Sequence, residues 1–180
     1  MSQRGKMKLK NLNKIYIIGP QGSGKSTLAK TLSKKLRIKH YDLDDIVWSK
    51  KYSVKRTYKT RQKKLNNLVN KKEWILEGIF GGWTEPAFQK ADLVIMLNLD
   101  YWLLVKNLLK RSLIGRFRGY EKEKTNLKDT WKIIQHVKLY RTRDHVKSYK
   151  GHMSLIKKHK TRLIEIRNQK QLKEFLEKLK

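Results

Sequence analysis

Short runs of β-branched and aromatic residues alternate with longer stretches at helical spacing, the pattern of a parallel sheet joined by crossover helices. Ile15-Tyr16-Ile17-Ile18 is apolar throughout, as a strand buried on both faces should be. Between Thr27 and Leu36 the apolar residues Leu28, Leu32 and Leu36 share one helix face. Ile38-Lys39-His40-Tyr41 reads as a second strand ending in Asp42-Leu43-Asp44-Asp45. Thr57 to Val69 reads as a basic helix with Leu65, Leu68 and Val69 on its apolar side. Trp74-Ile75-Leu76 is a third strand, closed by Glu77-Gly78. Leu93 to Leu97 is a fourth, and its wholly apolar sequence predicts a central position.

The second half continues with a helix from Tyr101 to Leu113 that carries Lys110 and Arg111 in its last turn. Ile114 to Thr125, with Gly115, Arg116, Arg118 and Gly119, lacks a core pattern and predicts a mobile basic loop. Asn126 is suited to cap the next helix, whose stripe is Leu127, Trp131, Ile134 and Val137, with Arg141 and Arg143 near its end. Arg162 to Ile166 then predicts a strand and Gln169 to Leu179 a helix. No repeat or low-complexity linker interrupts this order. The expected organisation is a basic tail over residues 1–13 and one α/β domain over 14–180, with a flap at about 114–145.

Between the first strand and the first helix lies Gly19-Pro20-Gln21-Gly22-Ser23-Gly24-Lys25-Ser26. It fits G-x-x-x-x-G-K-[ST], the phosphate-binding loop of nucleoside triphosphatases and kinases, in the strand–turn–helix context the motif requires. Gly19, Gly22 and Gly24 let the backbone turn its N–H groups inward around an anion, with Ser23 and Thr27 beside them. The following helix adds the positive end of its dipole. Lys25 is expected to reach the β- and γ-phosphates, and Ser26 to place its hydroxyl on Mg²⁺.

Composition narrows the class further. With 180 residues the chain can bury a proper core. No apolar run approaches the ~20 residues that span a bilayer, and Met1 to Lys14 holds no apolar segment suited to a secretory signal. The absence of cysteine excludes disulfides, thiolate metal sites and a cysteine nucleophile. A cytoplasmic protein without membrane partners, monomeric or weakly dimeric, is expected. The net charge of +30 attracts polyanions and predicts non-specific nucleic-acid binding. Lysine exceeds arginine, however, and asparagine, isoleucine and tyrosine are plentiful, a mixture that codon bias in an AT-rich genome also produces.

Three clusters beyond the loop suit phosphoryl transfer, which depends on holding donor and acceptor in line while charge is neutralised. Asp42, Asp44 and Glu77 fall at carboxyl ends of strands, where ligands of open parallel sheets sit. An extended Asp42-x-Asp44 would point both carboxylates to one side, towards Mg²⁺ or an acceptor hydroxyl. Glu77 and Asp42 are the candidate metal-ordering acids, Asp44 the candidate acceptor contact, and Asp45 a helix-start acid. Arg111, Arg141 and Arg143, ahead of Arg116 and Arg118, are candidates to close over the phosphates. Arg56 and Arg61, near Trp48, Tyr52 and Tyr58, either receive an anionic acceptor or form a solvated helix face. The histidines show no zinc-ligand spacing.

The loop, Leu43-Asp44-Asp45-Ile46-Val47-Trp48, Trp74-Ile75-Leu76-Glu77-Gly78 and Ala91-Asp92-Leu93-Val94-Ile95 together resemble the adenylate-kinase-like small P-loop kinases. Among these they are most similar to the bacterial DNA topology modulation, or FlaR-like, proteins. The resemblance runs from about Lys14 to the C-terminus and weakens after Leu113. It implies a three-layer fold of nucleoside monophosphate kinase type, with a five-stranded parallel sheet in order 2-3-1-4-5. It also implies ATP, Mg²⁺, a small-molecule phosphate acceptor and an arginine-bearing flap. Two departures stand out. Ile79-Phe80-Gly81-Gly82-Trp83 lacks the arginine that usually follows the acidic–glycine pair, and Asn98 replaces an aspartate after the fourth strand. A nucleic-acid-associated ATPase that uses its basic surface is the alternative to a kinase.

Overall fold

The computed structural model describes residues 12–50, 53–117 and 127–178. In chain order, β1 (Lys14–Ile18) leads through the glycine loop into α1 (Lys25–Leu36), and β2 (His40–Asp42) into a short α2 (Leu43–Val47). A ribbon of β3 (Trp48–Lys50) and β4 (Val54–Lys55) precedes α3 (Tyr58–Val69) and β5 (Trp74–Gly78). Then come α4 (Glu85–Lys90), β6 (Leu93–Leu97), α5 (Tyr101–Phe117) and α6 (Leu127–Lys138). Helix α7 (Tyr149–His159), β7 (Leu163–Ile166) and α8 (Gln169–Glu177) complete the order.

The main sheet has five parallel strands in the order β2-β5-β1-β6-β7. Counting only its own members, this is 2-3-1-4-5; the small antiparallel ribbon of β3 and β4 shifts the numbering of the later strands. Strands β5 and β6 are buried at every position, as is β1 beyond Lys14, which explains their unbroken apolar runs. β6 has neighbours on both sides, although β1 rather than β6 occupies the middle.

Alternation along β1 divides the core. Ile15 and Ile17 join Leu28 and Leu32 of α1, Leu104 and Leu108 of α5 and Phe175 of α8 on one face. Tyr16 and Ile18 join Leu65 and Leu68 of α3, Phe88 of α4 and Ile156 of α7 on the other. The side chain of Trp74 is fully buried in this second layer, where its indole N–H donates to the Val69 carbonyl. Parallel register aligns Ile17 with Glu77 and Asp42 with Glu77, so the acids gather at one sheet edge beside the glycine loop.

Several local expectations are corrected. Helix α5 runs on to Phe117, so Arg111 lies within it and residues 114–117 are helical rather than loop. Arg118, Gly119, the rest of the expected basic loop and Asn126 lie outside the described residues, as do Tyr52 and the tail to residue 11. The side chain of Arg116 also lies outside them. Trp131 is 63% exposed, while Thr130, Ile134 and Val137 form the buried side of α6. Helices α2, α4 and α7 have no counterpart in the apolar pattern. For α7 the reason is plain: one of its buried residues is His152, and its start is set by Ser148, whose hydroxyl accepts from the Gly151 N–H.

Candidate active site

Gly24 is the N-cap of α1 in a left-handed conformation, with φ of 86°, and no side chain caps the helix. Amides at such an uncapped start, with the helix dipole behind them, suit an anion. A Cβ on Gly19 would lie 2.6 Å from the Leu97 carbonyl oxygen, so the loop can pack against the end of β6 only with glycine there. Asn107 of α5 donates to the Gly22 carbonyl at 2.9 Å and ties down the far side of the loop. Ser23 is buried, and its Oγ has no hydrogen-bond partner. Thr27 is exposed in the first turn of α1.

Lys25 curls back over the loop and donates to the Pro20 carbonyl at 2.9 Å. Burial pushes its pKa down; the charges of Glu77, Asp44 and Asp42 act upwards and that of Arg111 further downwards. These groups are therefore within electrostatic reach of one ammonium. Ser26 donates to Glu77 Oε1 at 2.6 Å, a short hydrogen bond to an acid only 3% exposed.

Asp42 and Asp44 do not lie on one extended stretch. Helix α2 begins at Leu43, and Asp42 caps it by accepting from the Asp44 N–H at 2.8 Å. The cap breaks the expected alternation of the two side chains, yet both carboxylates still act on Lys25. Asp45 sits in the first turn of α2, as its position after the strand suggested.

The arginines divide. Arg141 donates through Nε to Asn98 Oδ1 and through Nη2 to the Asn98 carbonyl, both at 2.9 Å, and to the Leu99 carbonyl at 3.2 Å. It is thus clamped at the end of β6, next to the strand residue that packs on Gly19. Arg111 acts on Lys25, whereas Arg143 acts on Lys147, on which Asp44 also acts. Arg56 is used structurally: its Nη1 donates to the carbonyls of Asp45, Ile46 and Trp48. Arg61 instead lies over Trp83 and Tyr58, its Cζ 5.6 and 5.8 Å from the ring centres.

Residues outside the expected set adjoin these groups. Besides Asn107, these are Lys147, Asn98 in a bridging role, and the buried pair Tyr140 and His152. Tyr140 donates to His152 Nδ1 and His152 Nε2 donates to the Ile79 carbonyl, each at 3.0 Å. Among the described residues no group of three His, Cys, Asp or Glu side chains could hold a metal by itself. One hydroxyl and one carboxylate nevertheless fit Mg²⁺ that arrives with a polyphosphate, because Mg²⁺ keeps several waters and takes phosphate oxygens.

A glycine loop between β1 and an uncapped α1, under a five-stranded 2-3-1-4-5 sheet, defines a small P-loop protein of kinase type. The chain belongs to the AAA domain family, whose model matches residues 15–128. It is 36% identical over 110 residues to the protein YqaC of Bacillus subtilis (strain 168), covering 61% of this chain and 60% of that protein. It is 39% identical over 41 residues to shikimate kinase of Legionella pneumophila (strain Corby), covering 23% of each. The chain thus spans 60% or less of the length of these curated relatives. Its fold matches that of an unliganded sugar kinase from Janibacter sp. HTCC2649 with a TM-score of 0.50 at 12% identity, over 93% of this chain and 90% of that one. No described helix is long and apolar enough to cross a membrane.

Proposed function

We propose that this protein is an ATP- and Mg²⁺-dependent phosphotransferase acting on a small acceptor, a nucleoside, nucleotide or related metabolite, in the cytoplasm. The observation that carries the reading is the Ser26–Glu77 hydrogen bond beside Lys25 at the mouth of an uncapped helix. A triphosphate loop that also brings a buried acid to its serine has the parts for binding a metal–polyphosphate complex. The unpartnered buried Ser23 hydroxyl adds a polar group for which a phosphate oxygen is a suitable partner.

Bound Mg-ATP would supply the transferable phosphoryl group, with the metal's charge already on it. Lys25 would donate to its phosphate oxygens, and Ser26, Glu77 and Asp42 would hold the metal. Arg111 and the Nη1 of Arg141 add permanent positive charge as negative charge spreads over the equatorial oxygens. Asp44 orients the acceptor hydroxyl rather than removing its proton early, since such transfers depend on positioning and charge neutralisation more than on a strong base. Residues 14–180 act as one domain in this reading, and the segment at about 114–145 as its flap.

The test is ADP formation from Mg-ATP with a panel of nucleosides, nucleotides, sugars and short nucleic acids. Stimulation by one small compound with a phosphorylated product is expected. Lys25→Ala should lower turnover by about 100-fold or more while the thermal melt is kept. A folded Lys25→Ala protein with unchanged turnover would remove the loop from the chemistry.

A further inference from the structure

Helix α5 leans on the glycine loop, and one of its polar side chains holds a peptide of that loop in place. We infer that Asn107 is a positioning residue: it turns the Gly22–Ser23 peptide so that the Ser23 N–H faces a bound polyphosphate. This deepens the phosphotransferase reading and rests on it for the word polyphosphate, while the direction of the peptide stands on its own geometry.

Asn107 is half-buried beside Leu104 and Leu108, core-facing residues of α5. Asparagine is a poor residue for a helix interior, because its amide competes for backbone groups. Here it reaches out of the helix to the Gly22 carbonyl, 85 positions earlier, at 2.9 Å. Only the NH₂ of the amide can face a carbonyl oxygen, so the partner fixes which way the side chain is turned. The fit around Gly22 is close. Its φ is 78°, and a Cβ there would lie 2.9 Å from the Leu104 carbonyl oxygen and 3.0 Å from Leu108 Cγ. Only glycine lets the loop and α5 approach this far.

The consequence lies at the other end of the same peptide plane. No described peptide bond is cis, and in a trans peptide the C=O and the following N–H point in opposite directions. With the Gly22 carbonyl held out towards α5, the Ser23 N–H points into the loop. There it donates to the Pro20 carbonyl at 3.3 Å, and Lys25 Nζ donates to the same oxygen at 2.9 Å. The amide bond is long for N–H···O, so little is lost when a charged phosphate oxygen becomes its acceptor. The buried Ser23 hydroxyl, without a hydrogen-bond partner, belongs to the same residue.

Glycine at 22 is also the reason a clamp is needed. With no Cβ to oppose it, this peptide can rotate and offer an anion its carbonyl oxygen, which repels it. A backbone donor stabilises charge only when it is already aimed. Asn107 removes the freedom that glycine allows. One turn further along α5, Arg111 acts on Lys25, so the same helix addresses the second of the two donors that meet at Pro20. The competing role for Asn107 is a direct contact with a nucleobase, because it also lines a cavity of about 180 Å³ with Thr27, Leu103 and Gln169.

The experiment is calorimetric binding of ATP and of inorganic tripolyphosphate, each with Mg²⁺, at about 150 mM salt to damp the general attraction of a basic surface. Asn107→Ala should weaken both probes about tenfold while the thermal melt is kept. Asn107→Gln keeps the amide donor on a longer stem and should recover part of the loss. Asn107→Asp sets an acceptor against the Gly22 carbonyl and should lose more than Asn107→Ala. In nitrogen-labelled protein the Ser23 amide resonance should move when tripolyphosphate is added to the parent, and hardly move in Asn107→Ala. Equal affinities in parent and Asn107→Ala, no recovery in Asn107→Gln, or an unchanged Ser23 response would overturn the inference. So would a loss for ATP that spares tripolyphosphate, which would make Asn107 a contact of the base. A parent that binds neither probe would overturn this inference and the phosphotransferase reading together. Variants that behave as expected, in a protein that transfers phosphate to no acceptor, would reject the phosphotransferase reading alone.

Discussion

At Asn98 one side-chain amide works in both directions, and the charge balance behind Arg141 depends on it. Its Nδ2 donates to Glu165 Oε1 at 2.7 Å while its Oδ1 accepts from Arg141 Nε at 2.9 Å. Burial alone would raise the Glu165 pKa, but hydrogen bonds from Arg167 and Asn98 outweigh it and hold the carboxyl below its ordinary range. An aspartate at this place could still accept from Arg141 but would face Glu165 with a second carboxylate. Asn98→Asp should therefore destabilise the protein by about 1–3 kcal/mol at neutral pH, seen as a lower urea midpoint. The deficit should shrink as the pH falls into the carboxylate range and one of the two acids takes up a proton. A midpoint equal to that of the parent would show that the bridge has no energetic role. The identity of residue 98 was visible in the sequence as a departure, but its reason was not: both partners come from segments over 40 positions away, at separations of 43 and 67.

Helix α7 illustrates the same limit one level up. The glycine loop, α1 and the buried strands were legible because local residue types dictate them: glycines for left-handed φ, unbroken apolar runs for a two-sided sheet. Glu77 and Asp42 lie at the carboxyl ends of their strands, as residue order suggested, whereas Asp44 falls in the first turn of α2. The stripe of helix α7, Tyr149, Met153 and Ile156, is short and shared with His152, which is buried in the core against Phe88 and Tyr140. Nor could Lys147 be singled out among the many lysines, because its neighbours Phe80 and Arg61 reach it only through tertiary packing. The burial of His152 has a measurable consequence. Its pKa falls from 6.5 to about 4, chiefly because burial disfavours the cation, with the hydrogen bond to Ile79 opposing. Between those values the unfolded chain binds a proton that the folded protein does not, so stability declines as the pH falls through this window. The loss should approach roughly 3 kcal/mol below the lower value. It is measured as unfolding free energy against pH, and His152→Gln should flatten that part of the profile. An unchanged slope in the variant would place the acid sensitivity elsewhere.

For the molecule as a whole, the question is whether +30 of net charge is itself a function. The 45 lysines and arginines against 15 acids create a field that no single site accounts for, and such a field binds polyanions whether or not they are the natural ligand. Linkage separates the two readings. If nucleic acid were the partner of an ATP-driven module, ATP would change its affinity by some factor, and nucleic acid would change ATP affinity by the same factor. A small-molecule kinase with a basic surface has no reason to couple them, because the phosphate loop binds one anion and the general surface another. We expect affinity for a short duplex to fall by about 10³-fold or more between roughly 50 and 200 mM salt, as counterion release demands for several phosphate contacts. We expect the same affinity with and without a non-hydrolysable ATP analogue, and no difference between the parent protein and Lys25→Ala. Coupling that persisted after salt had removed the non-specific part would reverse this conclusion. The basic surface would then be the binding site, and the loop, Lys25 and Glu77 would form the switch that controls it.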